Sequence, residues 1–461
     1  MKTLEVLRKL HKETKAEVYF VGGYVRDLLR NVENRDIDIV IRNYSLRDII
    51  EFLKKYGKVK LVDLTKTAND FRVSVLLFKG SDNVEAQISL PKRGKRQKTD
   101  PGFTLKHDVG HRDFTLNGLY LPINYKSRND VIDYVGGRFS IYHRIIFAIG
   151  DPEERIKESP IRILRAISLA ARTNYRIDRS LLKQMFNYSH LLLKVPAENI
   201  REEFNKILLS KQPSKSLKLM SKLGILKLVM PELERCIGIK QDERYHKWDV
   251  FEHCAFTCDN IEPDIVLRLA ALLHDVGKPA SMKMIDGKIT FHKHEILSVK
   301  FAHKILTNLR YDKATKNKVL QLIRLHMYHY TREFTDSAVR RFIKRANISR
   351  KDIENLDEFP LFKLRAAERL GNGLKTIPVT AKQKDFQNRL IEVFGKSKGL
   401  EIRDLEINGN DIINTFNLKQ SPKIGEVLRF LLSKILENPE LNTKKELLKL
   451  VTEYLCDENL I

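Results

Sequence analysis

The sequence predicts an α+β fold: strands alternating with helices over residues 1–148, then helices alone to residue 461. Three observations carry this. Short β-branched runs at 18–21, 35–41, 71–78 and 83–90 read as strands, separated by segments such as the amphipathic helix at 46–55. Beyond 148 the apolar residues recur at helical spacing, through 161–169, 196–210, 212–240 and the tail. A chain of 461 residues also has the length of about three domains.

The first strand, residues 18–21, runs into Gly22-Gly23 and a helix start, YVRDLLR. A glycine pair at a strand–helix junction lets a ligand approach the backbone, and the helix N-terminus offers free N–H groups to an anion. Next comes RDIDIVI at 35–41. Side chains alternate along a strand, so Asp36 and Asp38 share one face while Ile37, Ile39 and Ile41 take the other. Two carboxylates beside a phosphate-ready turn suit divalent metal, which activates a hydroxyl and stabilises a leaving pyrophosphate. Glu85 and Gln87 share a face of a later strand by the same rule. The basic segment 91–107, PKRGKRQKTDPGFTLKH, has no apolar periodicity and reads as a loop, either placing a primer or simply solvated.

Composition bounds the partners. Hydrophobic content of 42% fills ordinary cores, while 84 Lys+Arg against 59 Asp+Glu gives a net charge of +25. Such a balance predicts a polyanionic partner, most simply a nucleic-acid backbone, with a Lys-rich composition bias as the alternative. Cys236, Cys254, Cys258 and Cys456 make no metal or disulfide framework, so reduced thiols in a cytoplasmic protein are expected. The opening residues have no apolar core, so no signal peptide is expected. No apolar run approaches the roughly 20 residues of a membrane span.

The pair GGYVRD and RDIDIVI resembles the nucleotidyltransferase branch that holds tRNA CCA-adding enzymes and bacterial poly(A) polymerases. That resemblance implies a nucleotidyltransferase head with a mixed sheet, Mg²⁺ at Asp36 and Asp38, and a triphosphate cradled by Gly22, Gly23 and Arg26. Heads of this kind often carry an acidic residue near Gln87, so either a third carboxylate is missing or Glu85 serves. HRDFTLNG at 111–118 is similar to the RRDFT-NA motif of the branch, with His111 for arginine and Gly118 for alanine. Arg112 and Asp113 are then expected at the ribose and triphosphate, and Asn117 as a buttress. VIDYVGG at 131–137 matches the closing strand, with Asp133 and the glycines shaping the turn.

Residues 150–176 predict a helix with Ser159 at the N-cap and Pro160 in the first turn. Ile161, Leu164, Ile167 and Leu169 form its buried side, and Glu158, Arg162 and Arg165 face one direction. The segment resembles EDPxR, whose aspartate and arginine bond the base of the incoming nucleotide. Arg162 matches the arginine and Glu158 the glutamate, but Ser159 stands at the aspartate. A carboxylate accepts from the amino group of C or A, whereas an uncharged hydroxyl both donates and accepts and discriminates less. The match continues at 196–210, with Asn199 where arginine is usual and Arg201 kept.

Eight of the 13 histidines fall within 246–329. His246 and His253 are spaced to share one side of a helix, and LAALLHDVGKP places His274-Asp275 after an apolar helix. His and Asp suit a divalent transition metal or Mg²⁺ that activates water for phosphate-ester hydrolysis. The region resembles an HD phosphohydrolase domain. His253, His274 and Asp275 match its first ligands, His294 and His326 its additional histidines, and Glu368 stands where the last aspartate is usual. Such a site takes Ni²⁺, Mn²⁺, Co²⁺ or Mg²⁺ and is active, altered or structural. The basic tail resembles that of CCA-adding enzymes with an internal HD domain, implying a hold on the tRNA elbow; otherwise it is a bundle packing on the body.

The expected organisation is a nucleotidyltransferase head at 1–148, a helical neck and body at 149–240, an HD-like domain at 241–375 and a tail at 376–461. The expected activity is addition of all or part of the 3′-terminal CCA to tRNA from CTP and ATP. The alternatives are a poly(A) polymerase or an A-only or CC-only enzyme, and, in another class, an HD phosphodiesterase or phosphatase with an RNA-binding head.

Overall fold

The computed structural model describes residues 1–34, 36–64, 73–89, 104–396 and 402–457. They form two compact units, Met1–Pro231 and Glu232–Ile461. The expected loop at 91–107 lies outside the described residues up to 103, and residues 105–107 open a helix instead.

The first unit is built on a seven-stranded sheet: β1 (Glu17–Val21), β2 (Ile37–Arg42), β3 (Lys58–Leu64), β4 (Val73–Lys79), β5 (Glu85–Ser89), β6 (Leu119–Pro122) and β7 (Ile132–Asp133). Its order is β3-β4-β5-β2-β1-β6-β7. Only β2 and β5 pair in parallel, so the sheet is mixed. The helices of this unit are α1 (Thr3–Glu13), α2 (Gly22–Leu29), α3 (Leu46–Lys54), α4 (Leu105–Gly110), α5 (Gly137–His143), α6 (Pro152–Glu158), α7 (Arg162–Thr173), α8 (Arg179–Asn187), α9 (Ala197–Leu208), α10 (Pro213–Lys222) and α11 (Ile225–Val229).

The period-two pattern of β2 decides which face is core. Ile37, Ile39 and Ile41 pack with Val18, Phe20 and Ile88 and with Leu7, Leu10, Ile49 and Leu53 of α1 and α3. Burying each isoleucine stabilises the fold by roughly 1.5–3 kcal/mol. The other face carries Asp38 and Val40, and Val40 packs with Val21, Leu105, Val109 and Tyr120. A hydrophobic strand face thus anchors the sheet while its reverse presents a carboxylate.

The neck differs from the expected capping. Asp151 caps α6 by accepting from the Glu154 N–H at 3.0 Å, and Pro152 occupies the first turn. Ser159 closes α6 rather than opening a helix. Residues 159–161 form a turn in which the Ser159 carbonyl accepts from Arg162 N–H at 3.0 Å, and α7 starts at Arg162. Asp-Pro one turn earlier is the stronger start signal: it pairs an N-cap acceptor with a proline at the first helical position. Ile161 consequently flanks α7 and is only half-buried, while Leu164, Ile167 and Leu169 line the core as expected.

In the first unit, Arg176–Ile177, within the span expected to be all-helical, is a short strand paired in parallel with Ile145–Ile146. The described residues of the second unit are helical apart from one hairpin. Lys283–Ile285 pairs antiparallel with Lys288–Thr290 across Asp286-Gly287, a dipeptide that favours tight hairpins. Its carboxyl-terminal helices Gly409–Phe416, Pro422–Glu437 and Lys444–Asp457 close around Ile412, Val427, Leu431, Ile435, Leu447 and Val451. Among the described residues, no helix is long and apolar enough to cross a membrane.

Candidate active site and metal centre

In the head, β1 ends as α2 begins, and Gly22 makes the corner with φ +63°. A Cβ built on Gly22 would lie 2.9 Å from Asp38 Oδ2, so the carboxylate sits directly over the turn. Both facts demand glycine. The Gly23 N–H donates to the Asp38 carboxylate at the start of α2. Burial pushes the Asp38 carboxyl up; the Gly23 N–H and the charge of Arg112 pull against this, and Asp36 pushes with it. An enclosed carboxylate crowded by a second one gains from a bound cation, so the pair fits a divalent metal with oxygen ligands. Gly22→Ala should therefore lower kcat/KM for nucleotide transfer by about tenfold or more, since the left-handed cost of about 1 kcal/mol adds to displacement of Asp38. Unchanged kinetics would contradict this placement.

The register answers the open question of a third carboxylate. Asp38 on β2 pairs with Gln87 on β5. Glu85 is held by Lys79 at 3.2 Å. Among the described residues, no third acidic, histidine or cysteine group joins Asp36 and Asp38.

Arg26 is buried and fixed: Nε and Nη2 donate to Asp27 at 2.9 and 2.6 Å, and Nη1 donates to Asn117 Oδ1 at 2.9 Å. Asn117 therefore joins the residues of 111–118 to the glycine turn. Asp27 also accepts from Arg30 and Asn34, both at 2.8 Å, and this charge-rich setting holds its carboxyl below the ordinary range against the upward push of burial. Sequence reasoning missed Asp27, although it stands next to Arg26 in GGYVRD. Arg112 is clamped by Asp108 at 2.8 Å and by the Tyr120 hydroxyl at 3.1 Å. Asp113 accepts from its neighbour's N–H at 2.9 Å and lies 3.7 Å from Arg165.

In the neck, Glu158 accepts from Arg155 at 2.8 Å and from Arg162 at 2.5 Å. Arg162 is buried and Arg165 is 49% exposed, so the two do not share an environment as their spacing suggested. A cavity of about 170 Å³ lies between Asp113 and Asn117 of the head and Arg165, Arg172, Glu203 and Lys206 of α7 and α9. Glu203 organises its far wall, accepting from Ser168 at 2.5 Å and Lys206 at 2.8 Å.

The second unit gathers every expected HD ligand, each at or near a helix end. His253 lies in Val250–Asp259, His274 closes Ile265–Leu273, His294 opens His294–Asn308, His326 closes Lys313–Leu325, and Glu368 lies in Pro360–Gly371. His246 falls in the irregular segment before Val250, not on the helix of His253 as expected, though the two rings are 5.2 Å apart. Gly277 permits the approach of the His274-Asp275 loop, because a Cβ there would meet the His294 carbonyl at 2.4 Å.

Asp275 is the centre. Its Oδ2 lies 3.2 Å from His274 Nε2 and 3.5 Å from His253 Nε2, and its Oδ1 lies 3.0 Å from His294 and 3.7 Å from His326. The ligand atoms of His253, His274 and Glu368 lie within 4.8 Å of one another, as do those of Asp275, His294 and His326. The longer Glu368 side chain therefore reaches the cluster. Nδ1 of His274, His294 and His326 donates to the carbonyl three residues earlier, at 2.8, 2.8 and 2.6 Å. A carbonyl only accepts, so Nε2 carries the lone pair in each neutral ring. Nε2 of His294 and of His326 nevertheless face each other at 3.3 Å. Two opposed lone pairs call for a cation, and mixed nitrogen and oxygen donors fit a divalent transition metal.

Lys278 donates to Asp275 at 2.6 Å and to Gln241 at 2.7 Å. Burial raises an acid, but His274 and Lys278 hold Asp275 well below its ordinary range. Against the same burial, Arg365 and the imidazoles bring Glu368 down to about 2. Burial lowers His253 to about 3 and His246 to about 4, and lowers His326, while Asp275 raises His274 against burial. Three lowered histidines outweigh one raised. Below pH about 6.5 the unfolded chain takes up protons that the metal-free folded chain refuses. Stability of the metal-free protein should fall as pH drops from 6.5 toward 4, by about 1.4 kcal/mol per pH unit for each net proton. Urea midpoints at pH 7 and pH 5 measure this, and equal midpoints would contradict it.

Comparison with known proteins places the chain. A family model described as "Poly A polymerase head domain" matches residues 18–147, and one described as "Probable RNA and SrmB- binding site of polymerase A" matches 174–237. A third, for tRNA nucleotidyltransferase domain 2, matches 294–451. The three models together span most of the chain, which is similar along its length to tRNA nucleotidyltransferases and poly(A) polymerases. It is 27% identical to the CC-adding tRNA nucleotidyltransferase of Thermus thermophilus, over 94% of this chain and 92% of that protein. It is 25% identical to the A-adding tRNA nucleotidyltransferase of Deinococcus radiodurans, over 71% of this chain and 74% of that protein. It is also 25% identical to a multifunctional CCA protein of Acidovorax ebreus, over 89% and 93%. The fold matches the Bacillus stearothermophilus CCA-adding enzyme in complex with CTP, with TM-score 0.64 at 18% identity, covering 100% of this chain and 98% of that one.

Proposed function

We propose that the protein is a tRNA nucleotidyltransferase that adds all or part of the 3′-terminal CCA from CTP and ATP, releasing pyrophosphate. The observation that carries the reading is the Asp38 carboxylate seated over the Gly22-Gly23 turn, with Asp36 beside it on the open face of the sheet. Asp36 and Asp38 are the proposed catalytic residues. Mg²⁺ held by them would activate the primer hydroxyl and neutralise the leaving pyrophosphate.

The chain's own residues do the rest. Gly22 and Gly23 open the α2 N-terminus to the triphosphate, and Arg26, locked by Asp27 and Asn117, supplies a fixed positive charge behind it. The charge of Arg112 acts on Asp38, and Asp113 accepts from Asn117 at 3.5 Å. Glu158, Ser159, Arg162 and Arg165 follow on the neck and meet the base, with Arg162 held in one orientation by Glu158. The primer 3′-hydroxyl attacks the α-phosphate in line with pyrophosphate, and positioning supplies most of the rate. The basic tail serves the tRNA elbow. Substrate tRNA and four free thiols fit a cytoplasmic location.

Transfer of labelled CMP onto a tRNA lacking CCA and of labelled AMP onto a tRNA ending in CC, with one pyrophosphate released per nucleotide, tests the proposal. No transfer from either nucleotide would overturn it. The similar relatives include A-adding, CC-adding and CCA proteins, and the pattern of incorporation decides which part of the series this chain makes. Because Ser159 replaces the carboxylate, selection between C and A rests mainly on Arg162.

A second reading applies to the second unit. Asp275 set among four histidines, with Glu368 closing the group, favours a metal-dependent phosphohydrolase centre. A divalent metal there would activate water against a phosphate ester. His253, His274, Asp275, His294, His326 and Glu368 are its proposed ligands.

A further inference from the structure

Helix α5 of the head has a polar inner side and an aromatic outer side. Gly137 and Ser140 face inward: a Cβ on Gly137 would meet the Thr115 carbonyl at 2.5 Å, and the Ser140 hydroxyl lies 2.6 Å from that of Thr115. The helical period then sends Phe139, Tyr142 and His143 outward. Phe139 is 56% exposed, Tyr142 is 84% exposed, and His143 is exposed between them. The His143 ring lies 4.1 Å from that of Phe139 and 5.0 Å from that of Tyr142. A lone exposed apolar side chain is ordinary on a surface, but three neighbouring rings within about one helical turn leave a patch of aromatic faces open to solvent.

The chain around these rings carries positive charge. Residues 137–150 include Arg138, His143 and Arg144 and no Asp or Glu. Asp133, which precedes the helix, accepts from the N–H groups of Val135, Gly137 and Arg138 and is held to the turn. Arg138 is committed to the carbonyls of Arg128, Asn129 and Val131. Arg144 closes α5, and its carbonyl accepts from the Arg176 N–H at 3.0 Å, which brings a second arginine to the end of the helix. Both arginines are exposed, and neither guanidinium has a hydrogen-bond or ion-pair partner among the described residues.

Open rings beside unpaired guanidinium groups are the two elements that hold single-stranded nucleic acid, since bases stack on the rings and phosphates meet the cations. A duplex keeps its bases stacked inside and offers no face to Phe139 or Tyr142. We propose that Phe139, Tyr142 and His143, with Arg144 and Arg176, form a docking surface for an unpaired stretch of RNA, made of residues that the transfer site does not use. The bases stack on Phe139 and Tyr142, and the phosphates lie against Arg144 and Arg176. An unpaired strand of a substrate tRNA and a strand of another RNA share this chemistry.

Fluorescence anisotropy of a labelled twelve-residue oligouridylate on the full chain, without added nucleotide, tests the surface. Tyr142→Ala should weaken binding by at least about fivefold, as loss of one stacked base requires, and Tyr142→Phe should not. Arg144→Ala should reduce the slope of log affinity against log salt by about 0.7, the share of one phosphate contact on a single strand. A blunt RNA duplex of the same length should bind wild type and Tyr142→Ala alike. In CMP incorporation onto a tRNA lacking CCA, Tyr142→Ala should keep its kcat; a raised KM identifies the strand as the tRNA's own, and an unchanged KM as another RNA's. A fall in kcat would place Tyr142 in the transfer site and overturn the separate surface. Equal oligouridylate affinity in wild type and Tyr142→Ala, or no binding by either, would overturn it as well. A wild-type dimer that Tyr142→Ala dissociates with no change in RNA affinity would assign the face to a second copy of the chain instead.

Discussion

Replacing Asp36 and Asp38 together by alanine should abolish nucleotide transfer, by at least about 10³-fold in kcat, because both proposed oxygen ligands of Mg²⁺ would be removed at a cost of several kcal/mol in the transition state. The fold should survive. Asp36 is exposed, and burial works against the charged form of Asp38, so the native state loses little when that carboxylate goes. The Gly23 N–H loses an acceptor but remains at an open helix start. Thermal unfolding within a few degrees of wild type, with transfer gone, is the expected pair of results. Transfer retained to within tenfold would remove the catalytic assignment, and a large drop in unfolding temperature would show that the carboxylates are structural.

The second large effect is expected at Asp275. Asp275→Asn keeps the shape of the side chain but removes the charge that faces His253, His274, His294, His326 and Lys278. Metal affinity should fall by at least about 100-fold, since Asp275 is proposed as a ligand itself and not as an outer partner. The metal-free variant should also lose roughly 3–5 kcal/mol of stability, because Lys278 is left buried beside a neutral group. Metal content after dialysis and urea unfolding of the metal-free protein read the two effects separately. Full metal occupancy in the variant would mean that the histidines alone form the centre, and unchanged stability would mean that the Lys278 pair contributes nothing.

Local patterns in the chain carried the parts of the fold that depend on local chemistry. Alternation at Ile37, Ile39 and Ile41 marked the core face of β2, and Gly22-Gly23 marked a turn whose geometry excludes a side chain. His274-Asp275 after an apolar helix, with flanking histidines, marked a cluster that folds together from five helices. What was not legible depends on partners distant in sequence. The pairing of Asp38 with Gln87 spans 49 residues, and only the register shows that Glu85 is turned toward Lys79. Asp27 reads as an ordinary helical residue until Arg26, Arg30 and Asn34 are seen to converge on it. Arg162 and Arg165 are three apart on one helix, yet Glu158 draws one into the interior and leaves the other half-exposed. At Ser159, two competing helix starts lay eight residues apart, and Asp151-Pro152 prevailed.

The central claim is non-templated synthesis of a defined 3′ end, and single-nucleotide incorporation on three tRNA primers tests it most directly. One primer lacks CCA, one ends in C and one ends in CC; each receives CTP alone, ATP alone, or both, with Mg²⁺. Stepwise C, C and A followed by a stop, or one defined part of that series, is the predicted result, and the part obtained shows how far Ser159 permits both choices. Untemplated A on any RNA, or no incorporation on any of the three, would contradict it.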